Sequence, residues 1–327
     1  MEAFIMKKIM ITGGLGQIGS ELTERLRADY GVDNVIATDI RYLEGNPVVE
    51  AGHFEVLDVS DYEKMLKIAK QYEVDTLIHL AALLSATAEK NPQFAWQLNM
   101  EGLMNALETA RELKLKLFIP SSIAAFGPNS PKDGTPQDTI QRPTTMYGVS
   151  KVAGELLCDY YYTKFGVDTR GVRFPGLISY ITEPGGGTTD YAVDIYYEAL
   201  KSKKYTSFVE AGTYMDMMYM PDAIDATIQL LEADASKLVH RNAFNITAMS
   251  FEPEEIAASI KKVIPEFELN YDVDPVRQEI ANSWPNSIDA TDAKAEWGFA
   301  PKYDLDRMTI DMLEKLSKKL DIDWRKD

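Results

Sequence analysis

Apolar residues fall in two alternating patterns along the first half of the chain. Lys7–Thr12 (KKIMIT) is a short apolar run that ends in glycines, which predicts a buried strand. Gly16–Tyr30 follows, with Ile18, Leu22 and Leu26 spaced along one face of a helix. The pair of patterns then repeats. Strands are predicted over Asn34–Asp39, His53–Leu57, Thr76–Leu80, Lys116–Pro120 and Thr169–Phe174. Helices are predicted over Tyr62–Tyr72, Asn91–Leu113 and Thr144–Phe165. Regular alternation of this kind implies an α/β fold, a doubly wound parallel sheet of Rossmann type with helices on both faces. Right-handed crossovers then place the ligand along the carboxyl ends of the strands.

The alternation stops near Pro175. A glycine run, Gly185–Gly187, lies among Pro and Thr residues. Beyond it come helices over Tyr191–Ser202, Asp222–Ala233, Glu252–Val263 and Leu305–Leu320, with short strands between them. The expected organisation is a dinucleotide-binding domain over residues 1–175. A smaller C-terminal α/β substrate lobe follows over 176–327, some of whose segments return to the main sheet.

The first chemical motif is Gly13-Gly14-Leu15-Gly16-Gln17-Ile18-Gly19. Glycines at this spacing allow a tight turn, close backbone approach to a pyrophosphate, and a helix N-terminus aimed at it. The pattern is weak alone, but here it follows a strand and opens a helix. Asp39 stands twenty residues after Gly19, at the end of the second strand. A carboxylate there accepts from the ribose hydroxyls of adenosine and repels a 2′-phosphate, which points to NAD rather than NADP. Ile40 and Arg41 follow it, and Arg41 can soften that choice. Asp58 and Val59, after the third strand, are placed to flank the adenine, although Asp58 or Ser60 serves as readily as a helix cap.

Tyr147-Gly-Val-Ser-Lys151 puts a tyrosine and a lysine at i and i+4 on one helix face. A free tyrosine has a pKa near 10, so a phenolate base at neutral pH needs a shift of about three units. A neighbouring ammonium and a cationic nicotinamide supply such a shift by favouring the charged form. Ser122, just after the fifth strand, carries a hydroxyl that can orient the reacting oxygen.

Composition narrows the partners. The 327 residues include 34 basic and 51 acidic ones, a net charge of −17. Such a chain repels phosphate backbones, so nucleic acid is not expected. No apolar run approaches the roughly 20 residues of a membrane helix. Cys158 is the only cysteine, and His53, His79 and His240 are far apart in sequence, so no metal site is expected. The opening MEAFIMKKIM runs straight into a strand and lacks the layout of a secretion signal. A cytoplasmic enzyme acting on a small molecule is expected.

Gly13–Gly19, Asp39, Leu80-Ala81-Ala82, Asn99, Ser121-Ser122 and Tyr147/Lys151 closely resemble the pattern of the extended short-chain dehydrogenase/reductase family, across nearly the whole chain. The resemblance implies NAD as cofactor, Tyr147 as base, Lys151 on the nicotinamide ribose and Ser122 on the substrate oxygen. It implies that Leu80, Ala81 and Ala82 line the cofactor site, and that Asn99 kinks its helix and aids a proton relay. The residues alone leave Asn99 equally readable as a plain polar helix position. Family members acting on nucleotide sugars usually carry an asparagine where this chain has Pro175. ITGGLGQIGSEL, LLSATAE, PSSIAAFG, RFPGLIS, PGGGTTDYAV and NSWPNSIDATDAKAEWGF instead resemble the family's L-threonine 3-dehydrogenases. The reaction implied is oxidation of the L-threonine 3-hydroxyl to 2-amino-3-ketobutyrate. The alternative is an NAD-dependent nucleotide-sugar epimerase or dehydratase. Ser85, Gly187, Thr188 and Thr189 supply hydroxyls and backbone amides suited to a small polar substrate. Trp284 either closes over that substrate or packs in the core, and Asp190 reads as a cap of the helix after it. The family further implies a homodimer seam along the two long helices.

Overall fold

The computed structural model describes residues 6–183 and 187–324. Its N-terminal half contains β1 (Ile9–Thr12), β2 (Val35–Asp39), β3 (Phe54–Val56), β4 (Thr76–His79), β5 (Lys116–Phe118), β6 (Ser121–Ser122) and β7 (Asp168–Arg170). All but β6 form one six-stranded sheet in the order β3–β2–β1–β4–β5–β7, with every neighbour parallel. The doubly wound parallel sheet expected from the alternation is the one that forms. Between the strands run α1 (Gln17–Tyr30), α2 (Pro47–Glu50), α3 (Tyr62–Gln71), α4 (Ser85–Lys90), α5 (Pro92–Leu113) and α6 (Met146–Phe165). The short α2 and α4 lie where the periodicity signalled no element.

β1 explains why its residues are apolar without interruption. Ile9 and Ile11 pack with Leu22 and Leu26 of α1 on one face of the sheet. Met10, pointing the other way, packs with Met65 of α3 and with Leu103 and Leu107 of α5. Both faces are covered, so each alternate side chain leaves water, at about 1.5–3 kcal/mol for a large one.

The predicted strand Thr169–Phe174 is in fact two, β7 and β8 (Val172–Phe174). β7 pairs with β5 up to Phe118↔Arg170, and β8 pairs with β6 from Ser121↔Arg173. Pro120 lies in the gap and has no N–H to donate to a ladder. Beside it Gly171 faces Ile119, and a Cβ there would sit 2.2 Å from the Ile119 carbonyl oxygen. The two backbones are too close there for any side chain.

The rest of the chain forms β9 (Gly176–Ile178), α7 (Tyr191–Lys201), β10 (Lys204–Ser207), β11 (Met215–Tyr219), α8 (Met220–Glu232), β12 (Phe244–Asn245), β13 (Met249–Phe251), α9 (Pro253–Lys261), β14 (Glu268–Tyr271), α10 (Pro275–Ser283), α11 (Thr291–Trp297) and α12 (Leu305–Leu320). Part of it joins the main sheet's core: Met218, Ile224, Leu231 and Phe244 share the apolar cluster of Ile9 and Leu22, and β12 pairs with β8. α7, α9 and α12 pack in a second cluster with β11.

Several polar contacts tie the two halves, such as Arg25 to Asp225 and Arg170 to Leu230; one of them titrates near neutral pH. Ser179, just after β9, donates from Oγ to Glu21 Oε1 on α1. Burial pushes the Glu21 carboxyl up from 4.5 to about 7; the Ser179 bond opposes this and Glu24 reinforces it. The fold thus favours the protonated acid. The stability this site contributes is complete below about pH 4.5 and is lost as pH rises through about 7. Glu21→Gln, which mimics the neutral form, is expected to raise the thermal unfolding midpoint at about pH 8 and to change it little near pH 4.5. An equal change at both pH values in calorimetric scans would remove this assignment.

Candidate active site

β1 ends at Thr12, and the chain turns through Gly13 at φ +71° before α1 starts at Gln17. The turn is packed to the limit of its glycines. A Cβ on Gly13 would lie 2.9 Å from the Ala81 nitrogen, and one on Gly19 would lie 2.1 Å from the Gly13 oxygen. Gly16 brings no side-chain cap to α1, so the amides of its first turn remain available to an anion. Ile18, half-buried, packs toward the β1 core.

At the end of β2, Asp39 is buried. Its Oδ2 accepts from the Leu15 amide at 3.1 Å, which joins it to the glycine turn. Its Oδ1 accepts from the backbone and Nε of Arg41 at 3.2 and 3.3 Å. Ile40 beside it is exposed. Asp58 accepts at Oδ1 from the amide and hydroxyl of Ser60 at 3.0 and 2.8 Å. The cap of α3 is neither of these but Asp61, whose carboxylate accepts from Lys64 N. Val59 is buried against Gly102, where a Cβ would lie 2.8 Å from its Cγ2.

A cleft opens beyond the turn, lined by Leu80, Ala81, Ala82, Asn99, Pro120 and Lys151 among others. The sequence reading missed His79, the last residue of β4, which lines it too. Its Nδ1 shares a hydrogen bond with Thr12 Oγ1 at 2.9 Å. Burial pushes this imidazole down to about 3, and the nearby Lys151 charge adds to the effect, so it is neutral. Asn99 sits in an unbroken α5, so no helix interruption accompanies it. Its amide instead clasps Leu83, accepting from the nitrogen at 2.7 Å and donating to the oxygen at 3.2 Å.

α6 carries Tyr147 and Lys151, of which Lys151 lines the cleft together with Glu155 one turn further on. Thr145 caps the helix by accepting from Gly148 N. Lys151 Nζ lies 5.3 Å from the centroid of the Tyr147 ring and donates to the Pro120 carbonyl at 2.7 Å. Ser122 heads the 3-10 turn Ile123–Ala125, and its Oγ accepts from Ala124 N at 3.2 Å. With a lone pair so engaged, its O–H is free to donate outward. α6 presses on that turn: a Cβ on Gly148 would lie 2.2 Å from the Ala124 oxygen.

The other predicted residues, Ser122 and Tyr147 among them, do not line this cleft. Ser85 opens α4, and Glu89 of that helix accepts from Met146 N at the start of α6, at 2.6 Å. Gly185 lies outside the described residues. Gly187 donates from its nitrogen to Asp190 Oδ2 at 2.6 Å, and Thr188 is buried in the 3-10 turn Thr188–Asp190 leading into α7. Thr189 packs so closely on Gly176 that a Cβ there would lie 2.7 Å from its Cγ2. Trp284 is buried in the apolar cluster against which the Tyr147 ring packs. Elsewhere His240, Asp292 and Glu296 bring ligand-type atoms within 4.8 Å of one another. His240 and the carboxylates are far apart in sequence, which is why spacing did not foretell this.

The NAD dependent epimerase/dehydratase family matches residues 9–247. A solved L-threonine dehydrogenase from Clostridium difficile is 70% identical, covering 97% of this chain and 99% of its own, with a TM-score of 0.96. One from Phytophthora infestans is 50% identical over 96% of this chain and 100% of its own, with a TM-score of 0.92. A relative from Staphylococcus saprophyticus, named an uncharacterized epimerase/dehydratase, is 64% identical over 96% of this chain and 98% of its own. No helix among the described residues is long and apolar enough to cross a membrane.

The cofactor is NAD. The residues present fit it: the Gly13–Gly19 turn forms a cradle that any Cβ would fill, and Asp39 puts a buried carboxylate at its rim. Asp39 is therefore expected to disfavour NADP. Asp39→Ala should narrow the NAD-over-NADP ratio of kcat/KM by roughly tenfold or more, because one like-charge contact of about 1–4 kcal/mol is removed. Steady-state rates with both cofactors check this, and an unaltered ratio would assign the discrimination elsewhere.

Proposed function

Because this chain belongs to the NAD dependent epimerase/dehydratase family, we propose that it oxidises the 3-hydroxyl of L-threonine to 2-amino-3-ketobutyrate. The observation that carries this reading is its likeness, along nearly the whole chain, to L-threonine dehydrogenases. The geometry around Tyr147 and Lys151 supports it.

Bound NAD supplies the acceptor for the hydride that leaves C3. The chain's own residues do the rest. Tyr147 takes the hydroxyl proton as general base. Ser122 donates its free O–H to the same oxygen and holds it in line. Lys151, anchored by the Pro120 carbonyl, holds the ribose, and its charge stabilises the negative charge that gathers on the phenol oxygen. His79 is neutral beside it, so no second cation competes for the same space. In this reading Ser85, Gly187, Thr188 and Thr189 approach the threonine when it binds, and Trp284 backs Tyr147 from the apolar cluster behind it. Asn99, Leu80, Ala81, Ala82, Asp58 and Val59 complete the cofactor wall.

Tyr147→Phe keeps the ring and removes the proton acceptor, so kcat should fall by about 10²–10⁴ while NAD affinity changes little. The test is NADH absorbance with L-threonine. Serine lacks only the methyl group, so its kcat/KM should be about 10–200-fold lower. Turnover of a nucleotide sugar without net NADH, and none of threonine, would replace this reading with the epimerase one.

The same reading pairs two copies along α5 and α6. Trp96, Leu156 and Tyr160 are large, apolar and exposed on those helices. Sedimentation should give a dimer, and Leu156→Glu should shift it toward monomer. A monomeric parent protein would withdraw the seam.

A further inference from the structure

We propose that the buried Glu155–Arg173 pair is a positioning clamp that sets the spacing between Ser122 on β6 and Tyr147 and Lys151 on α6. The proposal rests on the catalytic roles assigned above.

Glu155 is four residues after Lys151 on α6, so the two share one helix face. Arg173 is on β8, directly opposite Ser121 in the parallel pairing. All three meet at one carboxylate. Glu155 Oε1 accepts from Ser121 Oγ and from Arg173 Nε, the latter at 3.0 Å. Oε2 accepts from Arg173 Nη2 and from Gln141 Nε2, each at 2.8 Å. Four donors fill the lone-pair sites of the carboxylate. Arg173 is held from its other side, donating from Nη1 to the Gln137 oxygen at 2.8 Å and to Asn245 Oδ1 at 3.0 Å, and it stacks over Phe126. Each side chain is only 6% exposed.

A pair buried this deeply gives little net stability, because desolvation offsets the attraction. What it gives is a fixed geometry. Ser121 precedes the catalytic serine, Glu155 lies one helical turn beyond the catalytic lysine, and the Gln137–Gln141 segment leads into α6. One planar guanidinium therefore locks in register three segments that carry or flank the catalytic groups. Glu155 lines the cleft beside Lys151, but all four donors to its carboxylate come from the protein, so the pair acts through the backbone it holds.

The variants are Glu155→Gln and Ser121→Ala. Both are expected to retain NAD binding by titration calorimetry, weakened in Glu155→Gln only as far as Lys151 leaves the ribose, with the larger loss in kcat. Misplacement of the base and lysine should lower kcat by about 10- to 100-fold in Glu155→Gln and by less in Ser121→Ala. The pH profile separates position from charge. Removing the Glu155 charge alone leaves Arg173 uncompensated, which favours an anionic base and moves the acid limb of kcat to lower pH. A displaced Lys151 moves that limb to higher pH, which is the outcome expected. A folded Glu155→Gln with parental kcat, or with its acid limb moved down, overturns the proposal. If Glu155→Gln does not fold, Ser121→Ala decides: a lowered kcat and a raised acid limb support the clamp, and parental values of both overturn it. If the parent enzyme fails to oxidise L-threonine, the substrate reading has failed, and the same comparison is made with the alcohol it does oxidise.

Discussion

Between Phe118 and Ser121 the parallel pairing passes from the main sheet to the small β6–β8–β12 sheet, and the Lys151 side of the cleft is arranged around that passage. Three consequences follow. The Pro120 carbonyl receives the Lys151 ammonium. The strand resumes as Ser121–Ser122, out of the main sheet but still paired, so that Ser121 lines the cleft and Ser122 heads the turn that follows. Gly171 faces Ile119 with no room for a Cβ, so the two backbones stay close through the passage.

Charge is handled locally in a chain that is acidic overall. Lys151 keeps one carbonyl partner and faces a neutral imidazole. Arg173 is buried, yet it meets a carboxylate with matched fork geometry. Arg41 stands over Asp39 at the surface, where solvent weakens the pair. The net charge of −17 is spread over the whole chain, while the buried and cleft cations have partners set one by one.

The amino-acid pattern by itself determined the layers and the order of the main elements. Uninterrupted apolar runs cannot be half-exposed, so β1, β2 and β4 had to be covered on both faces, and the helical periods between them supplied the cover. It also determined the local motifs. Gly13–Gly19, Asp39 and Tyr147/Lys151 are close in sequence to the elements that carry them, and a helix puts i and i+4 on one face whatever surrounds it. Element ends were less legible. The predicted strand ending at Phe174 ran through Gly171, because periodicity does not register that Ile119 passes within contact of it.

Only the tertiary structure decided which distant residues meet. His79 reads as the last polar residue of a strand, and its neutrality comes from burial beside Lys151. Asn99 reads as a helix position, but its partner is the backbone of Leu83 across the cleft. Glu155, Arg173 and Gln141 come from a helix, a strand and a loop, and no spacing rule joins them. Burial, hydrogen-bond partners and charge neighbours are set by how the sheet, helices and loops pack. A linear pattern records only what is near along the chain, and the Glu155 cluster beneath α6 is made of groups that are near only in space.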